Sequence, residues 1–136
     1  MDNINTALYG EYYVAAMLYK RGWTANLTLK NYPGIDIFGF NPSKNIHSCI
    51  QVKTGCNKYT VLLGPTKNKF NINNIKGPYV FVHVGKNDSP DCFILAQNDV
   101  ISLINNKLPL TTNGSPIKFK WNELVSYKDQ WDNLWK

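Results

Sequence analysis

Two apolar runs separated by a turn, in the stretch PGIDIFGFNPSKNIHSCIQVKTG at positions 33–55, constrain this chain more than any other feature. Strand side chains alternate between faces, so Ile35 and Ile37 point one way and Asp36 and Phe38 the other. In the second run Ile50 and Val52 share a face, while Gln51 and Lys53 project from the opposite one. The intervening NPSKNI carries the Asn-Pro and Ser chemistry of a turn, which makes the two runs an antiparallel hairpin. A turn centred between Ser43 and Lys44 sets Asp36 opposite Gln51, with Cα atoms roughly 4.5–5.5 Å apart. Lys53 follows on the same face. An acid, an amide and a lysine therefore interrupt an otherwise apolar sheet, where polar groups cost free energy unless they are paired.

The remaining segments supply partners for that hairpin. NTALYGEYYVAAMLYKRG reads as a helix from Asn5 to Arg21, with Asn5 or Thr6 as N-cap and Gly22 as the stop. WTANLTLK is β-prone and KYTVLLG is a shorter strand. PYVFVHVG and CFILAQ are apolar enough for central strands. The lysine- and asparagine-rich piece from Pro65 to Gly77 reads as an exposed connection with room for one helical turn. NDVISLINNK opens on an Asn-Asp cap pair and has helical spacing at Val100, Leu103 and Ile104. LPLTTNGSPIKFKW is a loop, with a short strand at its end. In the tail, Tyr127, Trp131, Leu134 and Trp135 fall on one helical face that docks back on the body. The order predicts a single α/β domain over residues 1–136, built on one mixed sheet with helices on its faces.

Composition narrows the class. With 43% hydrophobic and 18% charged residues the chain is globular rather than disordered. No apolar run approaches the roughly 18–20 residues of a membrane span, and MDNINTALYG lacks the basic and greasy segments of a signal peptide. Cys49, Cys56 and Cys92, an odd set without CxxC spacing, read as reduced thiols in a cytoplasmic protein. The net charge of +6 comes from fourteen lysines and Arg21, and favours a polyanionic partner such as nucleic acid. The eighteen asparagines beside those lysines are also what A+T-rich coding produces without selection for binding.

The polar residues suggest chemistry. Leu8, Glu11, Ala15 and Leu18 form one stripe of the first helix, which turns one of only two glutamates toward an apolar layer. Hard divalent cations such as Mg²⁺ or Mn²⁺ take oxygen ligands and keep several waters. Asp36 would anchor the ion, and the Gln51 side-chain oxygen and the Val52 carbonyl would complete the protein edge. Glu11 would hold metal-bound water or a second ion. Lys53 suits stabilisation of phosphorane charge and orientation of the attacking water. His47 and His83 have no partner at ligand spacing and read as structural. Thr54 and Gly55 either shape the site or end the strand. Tyr9, Tyr12 and Tyr13 read as packing residues, Trp131 and Trp135 as anchors of the tail or of a dimer contact. Lys58, Lys67, Lys69 and Lys76 flank the exposed connection, where they would grip a DNA backbone.

The ordered set of a helix Glu11, PGIDIFG with Asp36 and QVKTG with Gln51 and Lys53 resembles the PD-(D/E)XK nuclease superfamily. Within it the spacing is similar to restriction-endonuclease-like and Holliday-junction-resolvase-like proteins, over about Leu8 to Gly55. The resemblance implies an αβββαβ core, divalent-metal-dependent hydrolysis of phosphodiesters in branched or foreign DNA, and a homodimer. It makes Asp36 and Gln51 metal ligands, Lys53 the catalytic lysine and Glu11 the helix acid. The family's usual acid is here Gln51, whose amide accepts a metal contact without adding charge. Two other functions are therefore carried forward: a nuclease-like module that binds nucleic acid without cutting it, and a small protein-interaction module.

Overall fold

Asp2, not Asn5 or Thr6, starts the first helix: its carboxylate accepts the Asn5 backbone N–H at 2.7 Å, and α1 runs Asn3–Lys20. Thr6 is instead buried, with its hydroxyl donating to the Asp2 carbonyl. The helix ends at Arg21, ahead of Gly22, where the sequence places its stop. Val14, Ala15 and Leu18 carry its inward face. The computed structural model describes residues 1–29, 34–66, 71–107 and 116–136.

Five strands form the central sheet: β1 (Thr24–Leu27), β2 (Ile37–Asn41), β3 (Ile46–Gly55), β5 (Tyr79–His83) and β6 (Asp91–Leu95). Their spatial order is β1-β2-β3-β5-β6. The β3–β5 pair is parallel and the other pairs are antiparallel, so the sheet is mixed as expected. The hairpin has the expected register, from Ile37 opposite Ile50 to Phe40 opposite His47. β4 (Thr60–Thr66) lies apart and pairs antiparallel with β7 (Pro116–Lys120).

The connectivity differs in detail from an αβββαβ core. Among the described residues, β4 and a 3-10 turn at Ile72–Asn74 occupy the crossover from β3 to its parallel neighbour. The β-branched, alternating segment after Thr60 favours extended chain there, burying Val61 and Leu63 on one side. The second helix, α2 (Gln97–Lys107), follows β6 and buries Val100 and Ile104. Asn98 and Asp99 sit in its first turn rather than at its cap.

Each face of the sheet has its own core. Val14, Leu18, Ile37, Ile50, Val52, Val80, Ile94, Trp131 and Leu134 pack on the α1 face. Val61, Leu63, Tyr79, Phe81, Leu95, Ile104, Phe119 and Trp121 pack on the other, under β4, β7 and α2. This two-sided burial explains the unbroken apolar run of β6, which the sequence places centrally but which lies at the sheet's edge. Its outer edge meets the tail: Phe93 bridges Lys128, and the Asp129 N–H donates to the Cys92 carbonyl.

The tail docks back as expected, but as two 3-10 segments, Trp121–Tyr127 and Trp131–Trp135, instead of an α-helix. Trp131 and Leu134, three apart, match the 3-10 repeat and enter the α1-side core. Tyr127 packs on the opposite core, so the four tail residues do not share a face. Trp135 stacks on Trp23 with centroids 5.9 Å apart, and the Ser48 hydroxyl donates to the Leu134 carbonyl at 3.0 Å. No helix among the described residues is long and apolar enough to cross a membrane.

Candidate active site

Gly34 has φ +77°, and a Cβ there would lie 2.9 Å from the Asn74 carbonyl oxygen. Only glycine fits both demands, and that bend delivers Ile35 and Asp36 to the mouth of the hairpin. The Asp36 N–H donates to the Ile50 carbonyl at 2.8 Å, and its carbonyl accepts the Thr28 N–H at 2.8 Å. Its carboxylate Oδ2 accepts the Val52 N–H at 2.8 Å. Asp36 therefore stands one step beyond the last ladder pair rather than in a formal pair with Gln51. The carboxylate is still held against β3 at Gln51–Val52.

Alternation along β3 divides the rest. Ile50 and Val52 enter the α1-side core. Gln51 lies beside Tyr79 and Lys53 beside Phe81, both members of the opposite core. A cavity of about 170 Å³ opens there, lined by Gly34, Gln51, Lys53, Asn71, Asn74 and Tyr79. Gln51 Oε1 is buried in it and accepts no hydrogen bond from the described residues. A buried acceptor without a donor requires a reason, because most such atoms in native proteins are paired.

Charge follows burial. Desolvation pushes the Asp36 carboxyl above its ordinary range, opposed by the Val52 N–H and the Lys53 ammonium. Desolvation likewise lowers Lys53, opposed by the Asp36 charge. Tyr79 is pushed up to about 12 by burial and by Asp36. Glu11 is raised by burial and then by Asp36. Three titrating side chains thus share the field of one aspartate.

Glu11 corrects the expectation of a single common face. α1 packs on the Val52 and Thr54 side of β3, where a Cβ on Gly10 would collide with the Thr54 side chain. Glu11 therefore approaches Asp36 from the α1 layer, while Gln51 and Lys53 approach from the opposite one. The Asp36 charge reaches Glu11 on one face of the sheet and Lys53 and Tyr79 on the other.

Among the described residues no three histidine, cysteine, aspartate or glutamate side chains are grouped to hold a metal ion. The available donors are all oxygens: the Asp36 and Glu11 carboxylates and the orphaned Gln51 Oε1. That set suits Mg²⁺, which is usually bound through one or two carboxylates and retains water. Val52 gives its N–H to Asp36 and its side chain to the core.

Lys58 and Lys76 are exposed. The Lys76 stem lies 3.4 Å from where a Gly34 Cβ would be, which places it beside the cavity. Lys67 and Lys69 lie outside the described residues. His47 stacks on Phe40 and His83 on Trp121, in the structural roles expected for them. Tyr9 and Tyr13 stack on each other, while Tyr12 is exposed. Tyr79 is the cavity residue that sequence reasoning missed. Its only signal is the alternation of PYVFVH, and nothing local reveals that this run lies parallel to β3.

No protein-family model matches the chain, and no curated protein matches it. Among solved structures, the bacterial homing endonuclease I-Ssp6803I is similar to it with a TM-score of 0.60 at 15% sequence identity, over 96% of this chain and 89% of that one. At that identity the likeness is one of fold, along nearly the whole of both chains.

Proposed function

We propose that this protein is a divalent-metal-dependent endonuclease that hydrolyses phosphodiester bonds in DNA, with branched or foreign DNA as its substrate. The observation that carries the reading is the buried, unpaired Gln51 Oε1 in one cavity with Lys53, beside an aspartate pinned on the Val52 N–H. The fold shared with a homing endonuclease supports the same chemistry.

Asp36 and Gln51, with the Val52 carbonyl, would hold Mg²⁺ or Mn²⁺, and Glu11 would contribute from the α1 side. Such an ion supplies Lewis-acid polarisation of the phosphate. Lys53 keeps its ammonium beside Asp36, where it orients the attacking water and neutralises charge on the non-bridging oxygens. Glu11, whose carboxyl burial and Asp36 hold above its ordinary range, would in its ionised form accept a proton from that water. Tyr79 stays protonated at physiological pH and offers its phenol as a hydrogen-bond donor. A homodimer would supply one such site for each strand of a duplex.

Cleavage of plasmid and four-way-junction DNA with Mg²⁺ or Mn²⁺ tests this. The wild-type protein should cut, and Asp36→Ala should abolish cutting. Cleavage that survives in Asp36→Ala removes the mechanism.

One observation favours a second reading, a nuclease-like fold that binds DNA without cutting: the position two before Lys53 carries an amide, and no third acid joins Asp36 and Glu11 among the described residues. That reading predicts salt-sensitive DNA binding in EDTA and no nicks at any metal concentration.

A further inference from the structure

A second groove lies past the end of β3, between the Lys58–Thr60 turn and the start of the tail. It has a volume of about 590 Å³, within the range of small-ligand sites. Its lining includes Tyr59, Phe93, Trp121 and Val125, with Lys58 and Lys120 among its polar groups. Tyr59 is 69% exposed and Val125 63%, which is unusual for side chains of their size and apolar character. The floor is firm: Trp121 donates its indole N–H to the Asn57 carbonyl at 2.8 Å and stacks on His83 with centroids 4.1 Å apart. The Lys58 ammonium sits 5.5 Å from the centre of the Tyr59 ring. No acid lines the groove among the described residues. The nearby Glu123 is engaged by Lys107 at 3.0 Å and by the Lys120 N–H at 3.1 Å.

We infer that this groove takes an unpaired nucleobase of a DNA strand, with Tyr59 as the stacking platform and Lys58 and Lys120 on the flanking phosphates. An exposed aromatic ring between cations, over an apolar floor, is the arrangement that holds single-stranded nucleic acid without reading its sequence. The position agrees. Gly55 lies on the same face of β3 as Lys53, roughly 7 Å further along the strand. A Cβ there would approach the Trp121 ring at 3.3 Å. β4 runs from the groove, at Thr60, to the Lys53 cavity, at Gly64, a span of roughly 13 Å, so a base seated in the groove belongs to a nucleotide a short way along the strand from the cleaved phosphate. The inference rests on the DNA-cleaving reading for its polyanion, and it narrows that substrate to DNA with unpaired bases a few nucleotides from the cut.

Binding measured in EDTA separates it from cleavage. Fluorescence anisotropy with short oligothymidylate, and with a duplex of equal length, compares wild type, Tyr59→Ala, Tyr59→Phe and Lys58→Ala. Tyr59→Ala should weaken oligothymidylate binding about tenfold, the size of one stacking contact, and change duplex binding less than about threefold. Tyr59→Phe should bind like wild type. Lys58→Ala should weaken single-strand binding and flatten its salt dependence. Equal losses on single strand and duplex in Tyr59→Ala, full binding in that variant, or no single-strand binding by wild type would each overturn the inference. Tyrosine-dependent binding without cleavage at any metal concentration would leave the groove standing and sink the nuclease reading alone.

Discussion

Gln51 holds a buried amide oxygen to which no donor among the described residues is directed, beside a lysine whose ammonium burial disfavours. Both features cost stability unless a ligand uses them. Gln51→Glu places a second carboxylate near Asp36 and Glu11. In EDTA it should lower Tm by several degrees, a shift equivalent to about 1 kcal/mol or more for a domain of this size, and added Mg²⁺ should restore it. Thermal unfolding with and without metal checks this, and the mutant should respond to Mg²⁺ more than wild type. Lys53 gives a pH signature. Its folded value lies below the ordinary 10.5, so the unfolded chain binds more protons in the window beneath 10.5 and stability rises with pH there. Lys53→Met should remove that slope, unfold no more easily than wild type at neutral pH, and lose at least about 100-fold in cleavage rate. Asp36 has the opposite sign: its folded value lies above 3.8, so its contribution falls as pH rises through the window just above 3.8.

At the scale of elements, α1 and β3 meet where the Thr54 side chain fills the space left by the missing side chain of Gly10. An alanine in an exposed helix interior normally gains up to about 1 kcal/mol over glycine. Here Gly10→Ala should instead lose about 1–3 kcal/mol by overpacking. Thr54→Ala in the same chain should recover part of that loss. Urea unfolding of the two single variants and the double variant checks this, since purely additive effects would contradict direct contact. The contact also explains what was legible in the sequence. The β2–β3 hairpin could be read to the residue, because a turn and two alternating runs fix register locally. The parallel β3–β5 pairing could not, because a crossover leaves no local signature of its register. Tyr79 was missed for that reason. Glu11 was found from its helical stripe, but nothing in that stripe says which side of the sheet α1 covers, the side opposite β4 and β7. The tail's tryptophans were recognised as anchors, yet their 3-10 geometry was not, since spacings of three and four residues both fit a helical stripe.

Across the whole molecule, two cores pack on opposite faces of one sheet, and Asp36 stands where its charge reaches Glu11 on the α1 side and Lys53 and Tyr79 on the other. The central claim is that these groups form one cation-holding pocket. Titration of the protein with Mn²⁺, followed by paramagnetic broadening of assigned NMR signals, tests it most directly. The amides of Asp36, Gln51 and Val52 and the Glu11 side chain should broaden together at one saturating site, and the effect should vanish in Asp36→Ala. Broadening confined to other acids such as Asp129 and Asp132, or unchanged in Asp36→Ala, would contradict the account.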